Sequence, residues 1–420
     1  SEPAMIRTSI ALMLISFVGM WAIRGSPELA ARMLGLAAND AIASYFFGVV
    51  PLFVLMGFIV SEAGLGRDAF DVANAMFRRI RGGLGVGTVG ANAIFAAITG
   101  ISIASAAVFT KIAVPQMIRH GYTSRFATGV VAGSSVLGML IPPSLLLILY
   151  GILTEQSIGD LFIAGIGPGL LLAILFGLGI VAMATFAPGF VGRPETGEDA
   201  ALSGGELIAK GLPITALIVL VLGGIYAGFF TPVEAGAMGA IGALAIGLAK
   251  GKLPPRALLR VLIETGLVTA AICFLIIAAQ MYSRMLAFSG VPAGFGAFVA
   301  TADIGFWSLL LLYVLIVVAM GMILDSSSIL LIIVPLMLPV VEPMGVDLIW
   351  FGIVTVLAVE IGLLTPPFGI SVYVIKSTLD DASITLGDIF LGAFPFALMM
   401  AVVLALVMAF PAIATGLLHS

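Results

Sequence analysis

Charge is scarce in this chain. Asp, Glu, Lys and Arg make up 10% of its 420 residues, where soluble domains carry about 25%. Too few polar side chains remain to cover a soluble surface, so a soluble globular protein is excluded. Cysteine is nearly absent as well. The single Cys273 lies in an apolar run, cannot form an internal disulfide, and reads as a small buried apolar residue. Histidine is limited to His120 and His419, both at predicted segment ends without metal-ligand neighbours. That excludes a histidine-built metal centre. Short alternating polar and apolar segments, the mark of a membrane β-barrel, are missing too. What is present is long apolar runs: 61% hydrophobic residues, a mean hydropathy of +1.24, 51 glycines and 21 prolines. The fold class is therefore an all-α polytopic membrane protein. The net charge of −4 carries no information about partners, and nothing points to nucleic acid.

Residues 5–23 are apolar after Arg7 and no small-residue cleavage site follows, so they read as a retained span rather than a signal peptide. This span and its link occupy 1–39, and an apolar segment at about 40–61 comes next. Residues 66–81, GRDAFDVANAMFRRIR, are amphipathic and basic, which suits a helix lying in the membrane interface. Two short apolar pieces then fill 84–119 around the tip ITGISIAS. Each falls short of the roughly 20 residues a crossing needs. Their Gly/Ser/Thr tip predicts a re-entrant hairpin. Spans at 124–153 and 161–186 complete this part. The central part, 187–262, holds a polar loop to 210, spans at 211–229 and 231–249, and a basic segment over 254–262 read as interfacial. A span at 263–283, a second hairpin over 306–341 with tip GMILDSSS, spans at 346–375 and 387–411, and a tail, 412–420, finish the chain.

Two of the long spans carry matching interruptions, GMLIPPSLL at 138–146 and GLLTPPFGI at 362–370. A proline inside a helix removes a backbone donor and clashes with the preceding turn, at a cost of about 3 kcal/mol or more. Two adjacent prolines after a glycine predict a broken helix at each place. The segment order repeats as well, so 40–186 and 263–411 read as an internal repeat. Pro115 matches Pro335, and SIGDLFIAGIGP at 157–168 resembles TLGDIFLGAFP at 385–395. Positive charge sets the orientation. With Arg78, Arg79, Arg81, Arg119 and Arg125 in the cytoplasm, every other Lys and Arg falls there except Arg24, Arg32, Arg284 and Lys111. Arg193 is among them. The base of the second hairpin carries Asp303, Glu342 and Asp347 and faces outward. The repeats are then inverted, with nine full spans, two hairpins, the N-terminus inside and the C-terminus outside.

Inverted repeats with broken helices mark secondary transporters, whose substrate and ion sites lie near the bilayer midplane. A break leaves backbone carbonyls without helical partners, at several kcal/mol each in hydrocarbon. A bound cation satisfies them, and Na+ suits such oxygen ligands. Two ion clusters follow. The first joins Thr99, Ser102 and Ser105 to the carbonyls of Gly138, Ile141 and Pro143. The second joins Ser326, Ser327 and Ser328 to those of Gly362, Thr365 and Phe368. The substrate is expected to bear a carboxylate, bound by hydroxyls and half-helix N-termini at Ser134, Ser135, Ser144, Ser327 and Ser328. Thr99 and Asp325 are also substrate candidates, and Asp325 is equally read as shaping its tip. Glu360 is read as orienting its break, Glu234 as stabilising a helix N-terminus, and Lys111 as reaching the inner interface.

The order ITGISIASAA, GYTSRFATGVVAGSSVLGMLIPPS, FFTPVEAGAMGA, GMILDSSS and EIGLLTPPFGISVYV resembles the large membrane subunit of tripartite ATP-independent periplasmic (TRAP) transporters. The resemblance spans about 40–411 and implies an elevator-type, sodium-driven carrier, mostly of organic acids. It also implies a periplasmic substrate-binding protein and a small four-helix membrane subunit in the bacterial inner membrane. Two or more sodium ions would sit at Ser102, Ser105, Gly138, Ile141 and Pro143, and at Gly321, Ser326, Gly362, Thr365 and Phe368. Ile101 departs from the family, which frequently has a small polar residue there. A related sodium/dicarboxylate symporter, independent of a binding protein, is the alternative. An intramembrane enzyme would need a Ser/His cluster, an Asp dyad or a metal set, none of which the sequence offers. On the elevator reading, 124–186 and 346–411 move with the hairpins, and 66–81 and 254–262 link them to a static part made of 5–61, 211–249 and 263–283.

Overall fold

The computed structural model describes residues 2–192, 202–302, 305–379, 381 and 383–418. Arg193, Asp303 and His419, which entered the sequence argument, lie outside the described residues. The fold is all-helical, and no strand occurs among the described residues. Among the described residues seven helical stretches are long and apolar enough to cross a bilayer, or eight if Val49–Glu62 and Leu65–Phe77, bent by 66°, form one span. Nine full spans were expected. The difference arises at 40–61 and 346–375. Helix Pro27–Ala43 ends inside the first, which leaves the 14-residue helix Val49–Glu62. The second is divided at Thr365 into Leu348–Leu364 and Ile370–Thr378.

Two segment boundaries differ from the sequence reading. The 254–262 stretch is not a separate interfacial element, because one 35-residue helix runs from Pro255 to Ser289. Once Pro255 has started the helix, no proline interrupts it until Pro292. The helix expected at 211 already begins at Gly204, where Ser203 and Glu206 form a capping box. Each side chain satisfies a backbone N–H that the first helical turn leaves orphaned. The same device opens Pro232–Ala249, where Glu234 accepts from the Thr231 N–H at 2.8 Å. Glu234 is thus the N-terminal stabiliser it was read to be.

Helices Gly83–Thr99 and Ser102–Arg119 form one antiparallel hairpin, and Phe306–Gly321 and Ser326–Val341 form the other. Each hairpin lies beside a broken helix: Ser124–Ser135, a short turn Leu137–Leu140 and Leu145–Thr154 in the first half, Leu348–Leu364 and Ile370–Thr378 in the second. The halves share a polar cross-link. Asn92 Nδ2 donates to Ser134 Oγ at 2.6 Å, and Tyr313 and Thr355 share a hydroxyl hydrogen bond at 2.8 Å, with a separation of 42 residues in both pairs. The halves also exchange partners: Ser326–Val341 packs on Leu145–Thr154, and Ser102–Arg119 packs on Ile370–Thr378. Each hairpin therefore rests on the restarted half-helix of the other repeat, which welds both clusters into one core. The amphipathic helix Leu65–Phe77 lies across the first hairpin. It buries Leu65, Ala69, Phe70 and Ala73, and its acids pair outward, Asp68 with Lys250 and Asp71 with Lys210.

Candidate functional site: two tip–break junctions

At the first junction the helix stops at Leu140. Ile141 and Ser144 are extended, with Pro142 and Pro143 between them joined by a cis peptide bond. Ser144 then restarts the helix, accepting from the Leu147 N–H at 3.3 Å and donating to the Met139 carbonyl. The hairpin tip, Gly100 and Ile101, lies directly on this break. Leu145 N–H donates to the Gly100 carbonyl at 3.1 Å. Gly100 has φ +65, and a Cβ there would sit 2.3 Å from the Pro143 oxygen, so only glycine allows the approach. Gly138 packs against Ile101 and Ser102 in the same way, where a Cβ would lie 3.2 Å from the Ser102 nitrogen. Gly138 and Pro143 thus meet the tip at Gly100, Ile101 and Ser102, with Thr99 beside them. A small apolar pocket beside the tip is lined by Phe53, Val54, Ile101, Pro143, Leu145 and Ile148.

The side chains at this junction divide sharply. Thr99 donates to the Phe95 carbonyl at 2.9 Å, Ser134 to Val130 at 2.7 Å and Ser135 to Ala132 at 2.8 Å. A hydroxyl must donate its hydrogen to bind a carboxylate. Thr99, Ser134, Ser135 and Ser144 already donate theirs to carbonyls, so the geometry does not offer them to an anion. By contrast, the Ser102 and Ser105 hydroxyls are wholly buried and have no partner among the described residues. Leaving a buried donor or acceptor unmade costs about 1–3 kcal/mol. Two such hydroxyls in the first turn after the tip, beside a helix break, are of the donor type that suits a hard cation such as Na+.

The second junction is closed by two glycines. A Cβ on Gly362 would lie 2.6 Å from the Gly321 Cα, and one on Gly321 would lie 2.8 Å from the Gly362 Cα. The helix ends at Thr365, whose N–H donates to the Gly362 carbonyl at 3.0 Å and whose hydroxyl donates to Ile361 at 2.7 Å. Pro366 and Pro367 follow with a cis bond, then Phe368, half exposed, and Gly369 at φ +51. Asp325 caps Ser326–Val341, accepting from the Ser328 N–H at 3.1 Å and from the Ser328 hydroxyl. It is a tip-shaping residue in this structure, and Ser328 is spent on it. Ser327 makes no side-chain hydrogen bond among the described residues, and Ser326 donates to Glu360. Among the described residues no group of three or more His, Cys, Asp or Glu could hold a metal ion. The donors at both junctions are therefore hydroxyls, carbonyls and one carboxylate.

Two side chains at these junctions escaped sequence reasoning. Ser371, in the first turn of Ile370–Thr378, is wholly buried with an unpartnered hydroxyl. Asn92 keeps an unpartnered Oδ1 beside Ser134. Ser371 carried a signal, since it stands in the restart just after a proline pair, where Ser144 was recognised. Asn92 carried none beyond being an amide in an apolar arm. Lys111 is exposed on the hairpin surface, away from these polar atoms.

The family described as tripartite ATP-independent periplasmic transporter, DctM component, matches residues 2–413. The chain belongs to the DctM family. It is a transporter subunit and not an enzyme, and it is a multi-pass membrane protein. A C4-dicarboxylate TRAP transporter large permease protein, DctM, of Pseudomonas aeruginosa is 33% identical over 398 residues, covering 93% of this chain and 90% of the relative. A sialic acid TRAP transporter large permease protein, SiaM, of Vibrio cholerae is 30% identical, covering 96% and 92%. Among solved structures, the Alcanivorax borkumensis YdaH transporter aligns with a TM-score of 0.65 over 98% of both chains at 14% identity, a likeness of fold alone.

Proposed function

We propose that this DctM-family subunit imports an organic acid across the bacterial inner membrane, driven by two or more sodium ions. A periplasmic binding protein delivers the acid, and a small four-helix membrane subunit braces the carrier. The observation that carries this reading is the pair of tip–break junctions. Both hold buried oxygens without a partner among the described residues, the Ser102 and Ser105 hydroxyls at one and Glu360 Oε2 at the other. Sodium is the cargo that satisfies them. The acid is expected between the tips, with Ser327 and Ser371 as hydroxyls not committed to a carbonyl. C4-dicarboxylate and sialic acid, named for two relatives, are both acids.

The packing supports an elevator-type motion. The hairpins are re-entrant, one from each side, and the exchange of half-helices makes hairpins and broken helices one moving body. Leu65–Phe77 and Val291–Thr301 link that body to a static part containing Val49–Glu62, Pro232–Ala249 and Pro255–Ser289. The apolar pocket between Phe53 and the first tip lies where the two bodies slide, and its greasy lining suits sliding contact.

Uptake into proteoliposomes tests this reading, with the small subunit and the cognate binding protein present. Accumulation is expected under an inward sodium gradient and not under potassium. Equal accumulation in potassium sinks sodium coupling. Full uptake without the binding protein moves the chain to the symporter alternative.

A further inference from the structure

The two junctions are built alike but are not charged alike. Two residues before Gly138 stands Val136, whereas two residues before Gly362 stands Glu360. Glu360 is 1% exposed, in the second-last turn of Leu348–Leu364. Its Oε1 accepts the Ser326 hydroxyl at 3.3 Å, and its Oε2 has no partner among the described residues. No ion pair reaches it among the described residues. Asp325, the other acid at this tip, spends both oxygens on Ser328. Glu360 is thus the acid at the second junction that keeps a whole oxygen without a hydrogen bond among the described residues.

A hydroxyl has one hydrogen and two acceptor lone pairs. With its hydrogen directed at Glu360, Ser326 is left with lone pairs only, which is the state a cation ligand needs. An unpaired carboxylate in a membrane interior is costly unless a counter-charge meets it. A cation bound at the same tip is that counter-charge.

Resting on the sodium reading above, we propose that Glu360 is the positioning residue of the second junction: it orients the Ser326 hydroxyl and, through its charge, sets the sodium affinity there. Glu360 acts through Ser326, so the two form one unit. The first junction, with Val136, has no equivalent.

The test reads binding apart from transport. The purified subunit in lipid nanodiscs is unfolded thermally at rising sodium, with choline keeping ionic strength constant. Glu360→Gln keeps an acceptor oxygen and the shape but removes the charge. Its half-saturating sodium concentration is expected to rise about tenfold, the size of one charge-assisted hydrogen bond. Ser326→Ala is expected to shift by a similar factor, and Glu360→Gln with Ser326→Ala no further than the larger single shift, because the pair acts as a unit. Reconstituted uptake should show the same shift in sodium half-activation, with Glu360→Gln restored at saturating sodium. A purely structural Glu360 would lower the unfolding temperature in choline and leave half-saturation at the wild-type value, which overturns the proposal and spares the sodium reading. Multiplicative shifts in the double variant also overturn it. A wild-type protein that unfolds at the same temperature in sodium and choline overturns the sodium reading itself, and this proposal with it.

Discussion

At Gly362 two opposing effects can be weighed. Replacing a helical glycine by alanine gains about 1 kcal/mol of helix propensity. Here the added carbon would lie 2.6 Å from the Gly321 Cα, so two backbones must part. Overpacking of that kind costs about 1–3 kcal/mol, more when backbone must move. Gly362→Ala is therefore expected to lower the unfolding temperature and abolish uptake. Gly266→Ala, with nothing within 4 Å of the added carbon, should be neutral or slightly stabilising. Equal behaviour of the two variants in thermal unfolding would refute the close approach. Ser102 offers a sharper test. Its unpartnered hydroxyl destabilises the sodium-free protein by about 1–3 kcal/mol, so Ser102→Ala should raise the unfolding temperature in choline. In sodium the order should reverse, because the variant loses the stabilisation that ligand binding adds. A variant below wild type in both salts would mean that the hydroxyl has an ordinary structural partner. Legibility at this scale followed chemistry. Ser102 and Ser105 stood out as hydroxyls at a tip. Nothing in the sequence distinguished them from Thr99 or Ser134, whose hydrogens go to carbonyls four residues back. That division depends on three-dimensional neighbours.

Elements were legible where punctuation was overt. The arms that meet at Gly100 and Ile101, and the stops at Leu140 and Leu364, follow glycine and paired proline. The start at Gly204 was missed although Ser203 and Glu206 spell a capping box, because the polar run before it masked the signal. The fusion of 254–262 into Pro255–Ser289 was missed for a different reason. A basic, half-apolar start looks interfacial in sequence, and only the absence of a bend shows that the helix continues. The ion pairs on the amphipathic helix Leu65–Phe77 and at the helix end just before it differ in burial. Lys250 and Asp68 have side chains 28% and 13% exposed, whereas Arg260 and Glu62 are 59% and 28% exposed. Exposed pairs contribute about 0–1 kcal/mol, and breaking a buried one costs about 3–5 kcal/mol. Asp68→Asn should fall between, near 1–3 kcal/mol by the same comparison, and Glu62→Gln should be close to neutral. Denaturation of the two variants at matched salt checks this, and an equal loss for both would remove burial as the deciding factor.

The exchange of half-helices between repeats belongs to the whole molecule, and no local pattern announced it. It requires Leu145–Thr154 and Ile370–Thr378 each to meet the other repeat's hairpin while staying packed on its own repeat. Such crossing is natural if the hairpins enter from opposite faces, since their tips then approach each other near the midplane and each restarted half-helix runs toward the opposite side. Opposite entry is what the positive-inside rule predicts from the charges, with Arg78, Arg79 and Arg81 at the base of one hairpin and Glu342 at the base of the other. Both bases are exposed, at Arg81 and at Glu342, so the arrangement can be read chemically. In a Cys273→Ser background, which removes the single native thiol, Glu342→Cys should react with an impermeant maleimide added outside intact cells. Arg81→Cys should react only after the membrane is opened. Labelling of both from the same side would make the repeats parallel. The two junctions would then approach the midplane from one face, and the inverted-repeat reading that explains their crossing would be lost.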